Sequence, residues 1–240
     1  MANPKVLVAF PTYDGQKYCL EPFLEGINNL DYDNFDILAV DNSETDEYFK
    51  HLQSKGVPAM RDAKEYPDKF EKIRGSRKMI KNIFLKGDYQ YLLYLDSDVI
   101  VPKDAIKQLL SRKKDIVSGV YLNGMRINGK PGVFPVLYDF VSDDPEDKRV
   151  KLMTRNDVMP EKFKEIACGG MGCVLVSRAV LVDTTFDKIE NTTDDVSFFL
   201  EARKLGFRAY VDTSVKCNHI NYPLDDKRNM FFDWNYYKNR

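Results

Sequence analysis

The chain has 240 residues, 43% of them hydrophobic and 30% charged, and a net charge of -1. That length suits one α/β domain with a full core, and the composition excludes a disordered chain. The near-zero charge gives no field for nucleic acid or an anionic membrane, so anion handling must come from local basic clusters or a bound metal.

The opening Met1-Ala2-Asn3-Pro4-Lys5 lacks the apolar core of a signal peptide. Residues 5–10 (KVLVAF) read as a buried strand running into Pro11-Thr12-Tyr13-Asp14. A helix is expected over 22–30, a strand over 35–40 ending in Asp41-Asn42-Ser43, a helix over 44–53 and a strand over 57–61. Residues 70–86 form the clearest helix, with Ile73, Ile80, Ile83 and Phe84 on one face and Arg74, Arg77, Lys78 and Lys81 on another. Gly87-Asp88 stops it. Residues 89–95 (YQYLLYL) form a strand that runs into Asp96-Ser97-Asp98, and Pro102 opens a helix over 103–110. A strand follows over 116–121.

This strand and helix alternation predicts a largely parallel sheet covered by helices, whose ligands bind beyond the carboxyl ends of the strands. The three polar clusters at 11–14, 41–43 and 96–98 would then share one rim. The second half is more mixed. Strands are expected over 132–141 and 149–153, and the glycine-rich turn Cys168-Gly169-Gly170-Met171-Gly172-Cys173 precedes a strand over 174–177. Its glycines permit positive φ or close ligand approach, at a spacing unlike a dinucleotide or phosphate-loop fingerprint. A helix over 195–205 leads through Gly206 to a strand over 208–212 and a last short strand to His219. Asn191-Thr192-Thr193 fits the glycosylation pattern and reads as a helix entry. No apolar run approaches the ~20 residues of a membrane span.

Two carboxylates one residue apart at a strand end, Asp96 and Asp98, can hold a hard divalent cation that bridges diphosphate oxygens. Each feature also has a plain reading. An Asp-x-Asp is common in solvated loops. Asp194 and Asp195 suit a helix dipole, His219 a structural hydrogen bond, Asp41 an Asx turn, and the basic stripe a solvated face. Cys168, Cys173 and Cys217 could join His219 around zinc, but no pair has the usual two-residue gap, and buried free thiols are favoured. Four cysteines point to a reducing cytosol rather than a disulfide scaffold.

Residues 91–102 (YLLYLDSDVIVP), 5–15 (KVLVAFPTYDG), 37–46 (ILAVDNSETD), 168–181 (CGGMGCVLVSRAVL) and 193–211 (TDDVSFFLEARKLGFRAYV) together resemble, in order, the segments of glycosyltransferase family two. The resemblance implies a GT-A, Rossmann-like α/β fold with a smaller mixed-sheet acceptor half. The nucleotide-binding half would end near residue 121 and the acceptor half near 222. Pro11, Thr12, Tyr13, Asp41, Asn42, Arg77, Asp96 and Ser97 would line a UDP- or GDP-sugar. Asp96, Asp98 and His219 would hold Mn²⁺ or Mg²⁺. Gly169, Gly170, Met171 and Gly172 would face a carbohydrate or other hydroxyl acceptor. Asp195 would be the general base of an inverting transfer, with Asp194 its close competitor. The chain departs from the family pattern at Lys78, Met171 and Asp194, where Asn, a small residue and Glu are usual. Rival readings are a retaining transfer, a sugar nucleotidyltransferase and a silent carbohydrate-binding homologue.

The tail Met230-Phe231-Phe232-Asp233-Trp234-Asn235-Tyr236-Tyr237 packs five aromatics into eight positions, followed by Lys238 and Arg240. Packing back on the domain is the favoured reading. An acceptor-site lid, a contact between subunits or a shallow membrane-surface anchor are the functional ones.

Overall fold

The computed structural model describes residues 3–142, 149–190 and 192–238. Asn191 of the glycosylation pattern and Arg240 of the tail lie outside them. In chain order the strands and helices are β1 (Val6–Thr12), α1 (Leu20–Asn28), β2 (Phe35–Asp41), α2 (Glu47–Ser54), β3 (Ala59–Arg61), α3 (Lys69–Lys86), β4 (Tyr91–Leu95), β5 (Val99–Ile100), α4 (Ala105–Ser111) and β6 (Ile116–Val120). The second half holds β7 (Leu122–Ile127), β8 (Lys130–Pro135), β9 (Leu137–Phe140), β10 (Val150–Leu152), β11 (Phe163–Ile166), β12 (Cys168–Gly169), β13 (Cys173–Ser177), α5 (Arg178–Asp183), α6 (Asp194–Lys204), β14 (Ala209–Lys216), β15 (Asn218–His219) and α7 (Asn235–Lys238).

Eight strands form one mostly parallel sheet in the order β11-β14-β6-β13-β4-β1-β2-β3. β1 lies inside it, parallel to both β2 and β4, and every one of its residues is buried. Both faces are covered, which is why β1 and β4 read as continuous apolar runs instead of alternating ones. On one face Leu7, Ala9, Leu92 and Tyr94 pack with Ile80 and Phe84 of α3 and with Phe198 and Phe199 of α6. On the other Val6, Val8, Phe10, Leu93 and Leu95 pack with Phe23 and Ile27 of α1, Leu52 of α2 and Leu109 of α4. β13 runs antiparallel between β4 and β6, with Cys173 opposite Leu95. β11 is antiparallel at one edge.

Three smaller pairings surround the carboxyl-end rim: β10-β9-β12, β15-β5 and the hairpin β7-β8. The hairpin turns at Asn128 and Gly129, with φ of 50° and 78°, so both residues occupy the left-handed region a two-residue turn requires. The single strand expected over 132–141 is thus two strands, β8 and β9, paired to different partners.

Asp68 caps α3 by accepting from the Phe70 and Glu71 amides at 2.8 and 2.9 Å. The basic face of α3 departs from the solvated stripe, because the helix is enclosed by the sheet on one side and by α5 and α6 on the other. Arg74 and Arg77 are buried. Lys78 reaches Asp187 at 2.7 Å, and Lys81 donates to the Thr184 carbonyl. All four cysteines are free and buried. Among the described residues no helix is long and apolar enough to cross a membrane.

Candidate active site

Parallel pairing aligns the strand ends. Thr12 stands opposite Asp41 in register, and Asp96 follows β4 on the same rim. Asp41 is fully buried. Its Oδ1 accepts from the Ser43 amide at 3.0 Å and the Ser43 hydroxyl at 2.5 Å, while its buried Oδ2 has no hydrogen-bond partner. Burial raises its pKa against the pull of Ser43. Thr12 Oγ1 bonds Tyr48 Oη at 3.3 Å. Asn42 Nδ2 donates to Ser76 Oγ at 3.0 Å, Ser76 donates on to Asp62 Oδ2 at 3.3 Å, and Tyr66 Oη donates to that same oxygen at 2.9 Å. Pro11 is buried at the end of β1, and Tyr13 is exposed beyond it.

Arg77 joins three distant segments. Its Nη1 donates to Asp194 Oδ2 and to Asp195 Oδ1, and its Nη2 to Asp96 Oδ1 at 2.9 Å. A buried guanidinium is tolerable only when so paired, and removing one partner from such a set typically costs about 3–5 kcal/mol. Desolvation opposes its charge, yet the three carboxylates hold its pKa well above the ordinary value. Asp194 and Asp195 open α6, where the Thr193 side chain accepts from the Val196 amide at 3.4 Å. The Asp194 side chain is 6% exposed and that of Asp195 25%. Desolvation raises the Asp195 pKa to about 6, with Arg77 opposing and Asp194 adding to the rise. Asp96 is raised too, by desolvation against the pull of Arg77 and with the Asp98 charge reinforcing it.

Asp98 and His219 meet across the β5-β15 pair, with Nε2 to Oδ1 at 3.4 Å. His219 Nδ1 lies 2.9 Å from the Leu122 carbonyl, so that nitrogen carries the proton and Nε2 is left facing the carboxylate. Two acceptors that face each other call for a proton or a cation between them. Burial lowers the His219 pKa, Asp98 raises it, and the balance is a rise. Gln16 Nε2 donates to Asp98 Oδ2 at 3.1 Å. Among the described residues no three His, Cys, Asp or Glu side chains gather closely enough to hold a metal ion by themselves. That applies to Asp96, Asp98 and His219, of which Asp96 is paired with Arg77, and to the weighed zinc set Cys168, Cys173, Cys217 and His219.

The glycine-rich turn runs against this cluster because β13 is antiparallel to β4. The Gly172 carbonyl accepts from the Asp96 amide at 3.3 Å. A Cβ at Gly172 would lie 2.7 Å from the Tyr121 ring and 2.9 Å from Asp96 Oδ2. Close approach, rather than positive φ, is what requires glycine there. Gly169 and Gly170 are buried beside Leu137 and Tyr121, and the Met171 side chain is fully buried in the core. The Tyr121 hydroxyl is pushed well up by burial and by the Asp96 and Asp195 charges, and it accepts from the Gly172 amide at 3.3 Å.

Sequence reasoning therefore places Arg77, Asp96, Asp98, Asp194, Asp195, Gly172 and His219 in one neighbourhood. It misses Gln16, Asp62, Tyr66, Ser76 and Tyr121, whose roles depend on partners brought in by the fold, and it places Ser43 on the rim without its bonds to Asp41. Those bonds follow the Asx pattern after Asp41.

A family model described as Glycosyl transferase family 2 matches residues 7–184. Among solved structures, A197 from STIV superposes with a TM-score of 0.52 at 16% identity, over 91% of this chain and 87% of that one. TarS 1-349 of S. aureus, in complex with UDP-GlcNAc, superposes with a TM-score of 0.53 at 16% identity, over 89% of this chain. This chain spans 57% of that TarS chain. At such identities the likeness establishes a shared fold and nothing finer. No curated protein sequence matches the chain closely.

Proposed function

The chain belongs to glycosyl transferase family 2, on a GT-A fold with a mixed, mostly parallel sheet, and we propose that it moves a sugar with inversion from a nucleoside diphosphate sugar to an acceptor hydroxyl, aided by Mn²⁺ or Mg²⁺. The observation that carries this reading is the charge at the rim. Three carboxylates, Asp96, Asp194 and Asp195, close on one guanidinium, Arg77, and a fourth, Asp98, stands against His219. A diphosphate is repelled by such a site unless a cation accompanies it.

Asp98 Oδ1 and His219 Nε2 would hold the cation, with Asp96 beside them and the diphosphate supplying further oxygens. When bound, it would stabilise the charge that develops on the leaving diphosphate. The chain's own residues do the rest. Asp41, with its unpartnered buried oxygen, and Thr12 receive the nucleoside, with Pro11, Tyr13, Asn42 and Ser97 around them. Arg77 fixes the carboxylates of α6 relative to Asp96. Asp195, the more exposed of the α6 pair and raised toward neutrality, accepts the acceptor proton as the new glycosidic bond forms and the bond to diphosphate breaks. Asp194, buried against Arg77, positions it. Residues to about 121 serve the donor and 122–222 the acceptor, although both halves build one sheet. The backbone at Gly169, Gly170 and Gly172 borders the acceptor side, whereas the Met171 side chain belongs to the core.

UDP-sugars and GDP-sugars are the donor candidates, and the TarS complex with UDP-GlcNAc favours testing UDP-sugars first. The test is Asp98→Asn. Mn²⁺-dependent binding of UDP or GDP should weaken sharply and transfer should fall with it. Full transfer by that variant, or by the wild type in excess chelator, would defeat the cation assignment. Product stereochemistry decides inversion, since a retained anomeric configuration rules out Asp195 as base.

A further inference from the structure

The aromatic tail lies beyond residues 7–184, the segment the family model matches, and the proposed chemistry leaves it unused. It is a folded element. Asn229 accepts from the Tyr222 amide and donates to the Tyr222 and Pro223 carbonyls, and Tyr237 Oη donates to the Phe231 carbonyl at 2.9 Å. Its two innermost rings reach the strand that carries His219. Trp234 is 3% exposed, and its indole Nε1 donates to the Cys217 carbonyl at 3.0 Å, two residues before His219. The Phe232 ring stands 6.2 Å from the imidazole at 70°, and Tyr121 packs edge-on to the same imidazole at 5.4 Å. Phe232 also closes over Gly124 of β7, the strand that begins at Leu122, whose carbonyl faces His219 Nδ1.

β15 has only two residues and pairs with a strand of two. Such a short bridge fixes a backbone poorly, so the imidazole must be oriented by what packs around it. We propose that Phe232 and Trp234 are positioning residues for His219. Trp234 sets the seat of β15 through the Cys217 carbonyl. Phe232 and Tyr121 set the plane of the ring, so that Nδ1 meets the Leu122 carbonyl and Nε2 meets Asp98. The consequence for cation binding rests on reading Asp98 and His219 as donors, while the positioning itself does not.

The test uses the full chain and the variants Trp234→Phe, which keeps the ring but loses the indole N–H, and Phe232→Leu, which keeps an apolar filler. The chain has two histidines, His51 and His219, so long-range ¹H–¹⁵N spectra of the metal-free protein resolve both rings. In each variant the Nδ1-protonated signature of His219 should average or broaden while that of His51 stays put. Mn²⁺ affinity in the presence of UDP should fall about 10-fold, the usual cost of losing an outer-shell partner, and the same tail substitution made in a His219→Ala background should cost nothing further. Unchanged His219 resonances in both variants, with only a lower Tm, would overturn the proposal and leave the tail as packing. Shifted His219 resonances with unchanged Mn²⁺ affinity would uphold the positioning and remove His219 from the cation's donors.

Discussion

Asp194 and Asp195 are adjacent in sequence and differ in what surrounds them. On a helix they point about 100° apart. One side chain is 6% exposed and locked against Arg77, the other 25% exposed at the same guanidinium. The carboxyl of Asp195 is pushed to about 6, chiefly by desolvation. A base must be ionised to accept a proton, so transfer should decline as pH falls through about 6 and reach a plateau above it. In kcat/KM, which reports the free enzyme, the acid limb should have unit slope. Asp195→Asn should lose at least about 100-fold in kcat with nucleotide affinity near normal, and the limb should vanish with it. Asp194→Asn should act mainly on stability, since it takes a partner from a buried pair. A fully active Asp195→Asn enzyme, or the same acid limb in that variant, would remove Asp195 from the chemistry. The two acids were legible in the sequence, but their clamp was not. Arg77 sits in a stripe whose spacing is the same on a solvated helix, and its partners lie 19 and 117 residues away. Only the closure of α5 and α6 over α3 tells the buried guanidinium from the half-buried lysine beside it.

At the level of strands and helices, legibility follows how local the determinant is. β1, β2, β4 and α3 are written in apolar runs and in a helical period, and parallel pairing then carries Asp41 and Asp96 to one rim without further information. The reversed direction of β13 is written nowhere locally, yet it sets Gly172 against Asp96. The β7-β8 hairpin did carry a signal, Asn128-Gly129, which favours a two-residue turn. Its strands form a pair apart from the main sheet, outside the strand and helix alternation that marks the others. The β13 arrangement has a measurable consequence. Gly172 does not need a left-handed backbone, so alanine there meets only steric conflict, against the Tyr121 ring and the Asp96 carboxylate. Neither neighbour gives way easily, since Tyr121 is wedged against His219 and Asp96 is held by Arg77. Gly172→Ala should therefore cost about 1–3 kcal/mol, as overpacking does, and raise the donor KM by displacing Asp96. Denaturant melts and donor kinetics read both effects. A lower midpoint with an unchanged donor KM would mean that Asp96 is indifferent to the turn.

Over the whole molecule, acid and base nearly cancel, to a net charge of -1, and yet the rim gathers three carboxylates around Arg77 and a fourth, Asp98, against His219. On the proposed reading the rim is where a charged ligand enters, and the ligand's binding energy would become folding energy. A ligand bound only by the native state at 100 times its Kd adds about 2.7 kcal/mol, and for a chain of this size each kcal/mol raises Tm by about 2–4 °C. Nucleotide and Mn²⁺ should therefore stabilise together and hardly at all apart, because each offsets the charge that excludes the other. The base should matter as well. Asp41 Oδ2 is a buried acceptor without a donor, and leaving it unmatched in the complex would cost about 1–3 kcal/mol. Uracil and guanine each present a ring N–H to such an oxygen, whereas the corresponding ring nitrogen of cytosine is itself an acceptor. With Mn²⁺ present, UDP or GDP should raise Tm by several degrees more than CDP, and Asp41→Asn should narrow that gap, since its amide can offer a donor to cytosine. Thermal melts of the two proteins with each nucleotide, with and without Mn²⁺, decide the matter. Equal shifts from CDP in the wild type would show that Asp41 does not read the base, and equal shifts from nucleotide without metal would show that the rim's charge is neutralised by the protein itself.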